Sequence, residues 1–174
     1  MLNGFLGRLF SAVGAVLGLF IAGYTGVLLA VSNQPVWSDT WALGGLFLAS
    51  GLSGSAALLL LLTRFRPAAR ESVAALERSA RLYAVLELAL IVLFVVTLIP
   101  AGTLDEVFAF PWLLLWVVVL IGLAPAFGLL GPPRVAATAN GAMSVAVTRT
   151  AVVTPSVVLI GVLALRAAVI FSIQ

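Results

Sequence analysis

The sequence contains no cysteine, no histidine and no lysine, and only 9% of its 174 residues are charged. Without cysteine there are no disulfides and no thiolate ligands for an iron–sulfur cluster. Without histidine the chain lacks the usual haem and zinc ligand, and also the side chain that titrates near neutral pH. We therefore expect this chain to hold no haem, iron–sulfur cluster or metal ion.

Most of the residues are apolar. The chain is 63% hydrophobic and its mean hydropathy is +1.26, whereas soluble domains carry roughly 25% charged residues. With so few charges the surface must face lipid. The net charge of +3 comes from nine arginines. These lie between apolar runs, where they orient helices, so no nucleic-acid partner is expected.

Five apolar runs are long enough to cross a bilayer, which needs about 20 helical residues. They predict a single all-α domain, an integral membrane bundle of about five transmembrane helices. Residues 67–80 mix charges with good helix formers and predict either a short amphipathic helix at the membrane surface or a solvated helical linker. Pro125 should kink the fourth helix. The predicted transmembrane helices are 9–31, 41–63, 82–99, 110–130 and 151–173.

The charges of the connecting segments alternate along the chain. Arg8 precedes the first run, five arginines lie between residues 64 and 81, and two more lie between the fourth and fifth runs. The other connections carry Asp39 and the pair Asp105 and Glu106, with no basic residue. Because cytoplasmic loops are enriched in arginine, the N-terminus should be inside and the C-terminus outside. This predicts a multi-pass protein of the cell (inner) membrane.

Small residues recur every four positions along the first helix. Such a pattern lets a second helix approach closely, so that van der Waals packing drives association in lipid. The partner is either another helix of this bundle or a second subunit. The small residues are Gly14, Gly18, Ala22, Gly26 and Ala30.

The stretch from Gly18 to Thr40 has a recognisable pattern. It contains Tyr24 followed by Gly26, then Asn33-Gln-Pro35-Val-Trp37 and Asp39. This pattern resembles the NrfD/PsrC-type polysulfide reductase membrane subunit family, and the likeness is to the C-terminal half of a family member. Such members usually have eight or more helices. The resemblance therefore implies that another membrane chain supplies the missing helices, or that this is a remnant or an incompletely translated form.

The resemblance also implies a function. In this family a non-catalytic membrane anchor passes electrons between membrane quinone and an iron–sulfur partner of the four-cluster ferredoxin type. The quinone is menaquinone or ubiquinone. A molybdopterin catalytic subunit is a further expected partner, and the quinone is an exchangeable substrate. The residues expected to contact the partner are Asn33, Pro35, Trp37, Asp39, Asp105 and Glu106.

Three polar residues within the apolar runs are candidates for chemistry. Tyr24 is interpreted as a quinone contact or an aromatic residue of the interfacial belt. Arg166 is interpreted as a second quinone contact sharing a cavity with Tyr24, or as a cation that snorkels to the surface. Glu87 is interpreted as a proton relay or as a structural hydrogen-bonding group. Counting from the ends of the runs puts Glu87 and Arg166 at opposite depths, so no direct salt bridge between them is predicted.

A different class of function remains open. The alternative to a redox anchor is that the chain forms half of a transporter or channel. A partner chain would complete it, and Glu87 and Arg166 would line its pathway.

Overall fold

The computed structural model describes the backbone of residues 4–63, 65, 70–129 and 145–172, and in this part of the chain every regular element is helical. The predicted all-α class is confirmed. A 3-10 helix, Ala124–Phe127, continues directly from α5. The α-helices are α1 (Phe5–Ala30), α2 (Leu43–Leu62), α3 (Arg70–Leu98), α4 (Leu104–Phe108), α5 (Trp112–Leu123) and α6 (Val145–Phe171).

Four helices, α1, α2, α3 and α6, are long and apolar enough to cross a membrane. The segment 112–127, formed by α5 and its 3-10 continuation, is apolar but shorter. At 1.5 Å per α-helical residue and about 2 Å per 3-10 residue it spans about 26 Å. These are the five segments expected from the sequence, and the membrane bundle is confirmed. Which end of the bundle faces the cytoplasm stays a prediction.

One helix, α3, occupies the region where the sequence indicated two. The predicted amphipathic helix 67–80 and the transmembrane helix 82–99 are joined in the continuous helix Arg70–Leu98. The segment 70–98 has no glycine or proline, and it is rich in alanine, leucine, glutamate and arginine, which favour the helix. Nothing in the backbone therefore ends the helix where its surroundings change from water to lipid.

At Pro125 the structure shows a change of helix type, whereas the sequence predicted a kink. The α-helix α5 ends at Leu123, and Pro125 lies at the start of the 3-10 helix. Proline has no N–H to donate and crowds the preceding turn, so it is tolerated at the first positions of a helix and not in its interior. Gly128 ends the element in the left-handed conformation, with φ of 75°, which glycine adopts without strain.

The helices pack around α2, which contacts α1, α3 and α6, while α5 packs against α6. The α5–α6 crossing is made by two glycines: a Cβ built on Gly122 would lie 2.6 Å from the Cα of Gly161. At the α1–α2 crossing, a Cβ on Gly26 would lie 2.9 Å from the Cα of Gly44. Gly14 and Gly18 have no such neighbour within 4 Å among the described residues. That this part of α1 packs against a second subunit stays a prediction.

The two ends of the bundle differ in chemistry. At one end, here called the loop end, Thr40 and Thr97 share a hydrogen bond of 2.6 Å and Trp37 Nε1 donates to the carbonyl oxygen of Val169 at 2.9 Å. The loop end therefore comprises residues 31–42 and the C-terminal ends of α3 and α6. The opposite end, the arginine-rich end, carries Arg8 at the start of α1 and Arg78 and Arg81 in the first half of α3.

Candidate functional site

Glu87 lies in the interior of α3 with only 2% of its surface exposed. Its carboxyl group is beside the hydroxyl of Ser53 on α2 and within electrostatic reach of Arg166 on α6. The Ser53 hydroxyl, also 2% exposed, has no hydrogen-bond partner of good geometry in the described part of the chain. Ionisable residues inside membrane bundles are costly and line functional cavities or pair with one another. Glu87 and Ser53 form the polar centre of this bundle.

Arg166 points from α6 towards α2. Its Nη2 atom donates a 3.1 Å hydrogen bond to the carbonyl oxygen of Phe47, and its guanidinium carbon lies 5.2 Å from the centre of the Phe47 ring. Gly51, one turn along α2, adjoins the guanidinium, and a Cβ there would lie 3.4 Å from Nη2, in ordinary van der Waals contact. The buried Nε atom has no hydrogen-bond partner within the described ranges. The guanidinium thus keeps donor capacity unused inside the bundle.

The structure corrects the depth inferred from the sequence for Glu87, whereas Arg166 lies near the loop end, as its place in the last helix predicted. Arg166 contacts α2 at Phe47 and Glu87 lies at Ser53, six residues apart, or about 9 Å along the helix axis. Counting from the ends of an apolar run misplaced Glu87, because its depth is set by how α3 aligns with α2. Glu87 faces the middle of α2 and Arg166 faces its loop-end part, and their charges interact.

Tyr24 is not part of this centre. Its side chain is 47% exposed and stacks on Phe20 with ring centroids 5.4 Å apart. The α1 residue that lies near Arg166 is Ala22, since both Ala22 and Arg166 adjoin Gly51. Residues two apart on a helix are separated by about 200° around its axis, so Tyr24 faces away from Arg166. Among the described residues, Tyr24 and Arg166 do not line the expected common cavity.

Two of the expected partner-contact residues hold the loop end together. The carboxylate of Asp39 accepts a 3.0 Å hydrogen bond from the backbone N–H of Val36. Val36 is fully buried and has a φ of 66°, which is strained for a β-branched residue. Trp37 ties the same loop to the end of α6 through Val169. Trp37 and Asp39 therefore shape this loop from within.

The other expected contact residues are exposed. Asn33 and Pro35 lie on the surface of the 31–42 loop, and Asp105 and Glu106 lie in the first turn of α4. The short helix α4 is held in place by α5, because Trp116 Nε1 donates a 3.1 Å hydrogen bond to the carbonyl oxygen of Val107. The loop end thus presents acidic and polar side chains on a fixed backbone, and its role in partner contact stays a prediction.

A cavity of about 520 Å³ lies between α2, α3, α6 and the α5–3-10 segment. Thr63, Glu77 and Arg81 line it at the arginine-rich end, and Ser53 and Glu87 line its deep end. The walls contain small residues on facing helices: Ala57, Ala84, Gly122 and Gly161. Sequence reasoning missed this cavity. The small residues that line the cavity are visible in the sequence, but they lie on four separate helices. Only the packing of these helices shows that the residues face a common space.

The comparisons with known proteins agree with the fold. A family model described as polysulfide reductase, of the NrfD type, matches residues 3–172. The chain belongs to the NrfD-type polysulfide reductase family. No curated protein and no solved structure matches the chain. The resemblance drawn from Tyr24 to Asp39 is therefore confirmed at the level of the family.

Membership of the NrfD-type family makes the chain a membrane subunit of polysulfide-reductase type, which is an anchor within a redox complex. Its apolar helices make it a multi-pass membrane protein. Among the described residues no group of three or more histidine, cysteine, aspartate or glutamate side chains is placed to hold a metal ion.

Proposed function

We propose that this chain is the non-catalytic membrane anchor of a quinone-linked redox complex and passes electrons between membrane quinone and an iron–sulfur partner. The observation that carries the proposal is Arg166. Its guanidinium is held within the apolar bundle by the Phe47 carbonyl and ring, and its Nε remains without a partner in the described structure. Keeping an arginine there costs at least about 2.5 kcal/mol on insertion scales, so we infer that it is retained for a ligand.

A quinone headgroup suits such a residue. Its carbonyl oxygens accept hydrogen bonds, and one-electron reduction adds negative charge to them. Arginine supplies several donors in a planar group and a charge that persists at all physiological pH values. Tyr24, whose hydroxyl is on the lipid-facing side of α1, stays a separate candidate for quinone contact because a phenol also donates to a carbonyl oxygen.

Glu87 is proposed as the proton relay of this reaction. Reducing a quinone to a quinol takes up two electrons and two protons, and oxidising a quinol releases them. The carboxyl group of Glu87 lies beside Ser53 in the middle of the bundle and interacts with the charge of Arg166. A carboxyl in this position can accept a proton from one side of the membrane and pass it towards the headgroup.

The iron–sulfur partner is proposed to dock on the loop end. Asn33, Pro35, Asp105 and Glu106 are exposed there, and the internal hydrogen bonds of Trp37 and Asp39 fix the backbone that presents them. A preformed surface loses little conformational freedom on association. A molybdopterin catalytic subunit would bind through that partner, and a further membrane chain would pack against α1.

The decisive measurement is quinol-dependent reduction of the partner's clusters in the reconstituted complex, comparing Arg166→Gln with Tyr24→Phe. Losing a hydrogen bond to a charged donor typically costs 1.5 to 3 kcal/mol, so Arg166→Gln should weaken apparent quinol affinity roughly 10- to 150-fold. Tyr24→Phe should weaken it by roughly two- to twelve-fold if the phenol contacts the headgroup.

Arg8→Gln is the matched control, because Arg8 is an exposed arginine at the other end of the bundle. Assembly of each variant is checked by co-purification of the partner. Normal assembly with unchanged quinol kinetics in Arg166→Gln would remove the basis of the proposal.

The second candidate, half of a transporter or channel, is favoured by the cavity that leads to Glu87. A transporter must move its solute without a redox partner. Proton or solute flux into liposomes containing this chain and its membrane partner alone, lost in Glu87→Gln, would favour that function over the anchor.

A further inference from the structure

We propose that the cavity is a water-filled inlet, open at the arginine-rich end and ending at Glu87. The inlet deepens the proposed function, in which Glu87 relays protons, by assigning the side from which they come. Aqueous access is a property of this chain alone and is measured without quinone, so the inlet and the quinone reaction are tested separately.

The dimensions of the cavity fit a column of water. On α3 the lining runs from Glu77 past Arg81 to Glu87, and on α2 it runs from Thr63 to Ser53. The ten residues between Thr63 and Ser53 correspond to about 15 Å of helix, half of a typical hydrocarbon core. The volume is about 520 Å³, whereas one water takes about 30 Å³ in the liquid.

The polar groups of the cavity favour water over a lipid chain. Glu77 and Arg81 are exposed at its mouth. At its deep end Glu87 and Ser53 are each 2% exposed, and the Ser53 hydroxyl lacks a partner among the described residues. A column of water that ends next to these polar groups is favoured over an acyl chain, which offers no hydrogen-bonding atom. Arg166 is the charged group that reaches Glu87 from α6.

The inlet is one-sided. Beyond Glu87 towards the loop end, the space between α2, α3 and α6 is filled by buried apolar side chains, among them Phe47, Phe94 and Leu165. A closely packed apolar interior holds few voids that could take a water molecule. A proton that reaches Glu87 from the arginine-rich end therefore continues only by transfer between side chains.

The absence of cysteine from the sequence permits a direct test. Single cysteines are introduced in the chain assembled in lipid vesicles, and their reaction with a charged, membrane-impermeant methanethiosulfonate is followed. Ala57→Cys, Ala84→Cys and Val119→Cys probe three walls of the cavity. Glu77→Cys at the mouth is the positive control, and Leu86→Cys on the lipid-facing side of α3 is the negative control. A thiol reacts only where it can ionise in water.

We expect the cavity cysteines to react at least tenfold faster than Leu86→Cys, and only when the reagent is on the side that also modifies Glu77→Cys. Rates as low as that of Leu86→Cys at all three wall positions, with Glu77→Cys reactive, would overturn the inlet. Reaction from both sides would overturn its one-sidedness. If the walls react but Glu87→Gln leaves quinol-driven electron transfer unchanged, the inlet stands and the proposed relay fails.

Discussion

At the scale of single residues, Trp37 shows how a surface motif can have an internal role. Its position in the loop between α1 and α2 suggested contact with a partner. In the structure its indole N–H donates across the loop end to Val169, 132 residues further along the chain. This bond joins the first loop to the end of the last helix, and only the fold brings these two segments together.

Replacing Trp37 with phenylalanine should destabilise the bundle. The change keeps an aromatic side chain but removes the donor to Val169, and a hydrogen bond of typical net worth contributes about 0.5 to 1.5 kcal/mol. We expect a lower Tm in thermal unfolding in mild detergent. Trp41→Phe is the control, because Trp41 is 74% exposed. Equal Tm values for the two variants would show that the hydrogen bond does not contribute.

At the scale of secondary structure elements, glycines decide how closely the helices approach. The stripe on α1 was the visible pattern in the sequence, and its member Gly26 does meet α2 at Leu43 and Gly44. A second close crossing, however, is made by Gly122 on α5 and Gly161 on α6. Each lies alone in an apolar run, so no periodic pattern marks it.

Gly161→Ala should therefore destabilise the protein. The new Cβ would lie 2.7 Å from the Cα of Gly122, and because both atoms belong to helix backbones, α5 and α6 must move apart. Overpacking of this kind costs about 1 to 3 kcal/mol. Gly18→Ala is the matched control, since that site has no described neighbour within 4 Å and alanine favours the helix. Chemical or thermal unfolding should show a lower free energy of unfolding for Gly161→Ala and not for Gly18→Ala.

At the scale of the whole molecule, the distribution of arginine predicts the orientation. Arg8, Arg78 and Arg81 are at one end of the bundle, while Asp39, Asp105 and Glu106 are at the other. Reporter fusions after Asp39 and Asp105 should be external, and those after Thr63 and Gly128 cytoplasmic. A reversed pattern at any two of these sites would contradict the N-in, C-out orientation and would place the mouth of the inlet outside the cell.

The sequence by itself determined the class, the number of membrane segments and the family. Each of these follows from properties that are local along the chain: apolar runs about 20 residues long, charges confined to the connections, and a short motif from Tyr24 to Asp39. A disturbance of the fourth helix at Pro125 was also predictable, because the missing N–H of proline acts within one turn, although the sequence predicted a kink and the structure has a 3-10 helix.

Only the tertiary structure decided which polar residues meet. Glu87 lies beside Ser53 because α3 runs antiparallel to α2, and Arg166 reaches Phe47 because α6 packs against α2. Tyr24 faces away from Arg166 because α1 packs against α2 through the opposite face, which carries Ala22 and Gly26. In lipid almost every helix face is apolar, so the sequence does not mark which face turns inward. That choice depends on how closely the backbones can approach, and it is made by contacts between residues far apart in the chain.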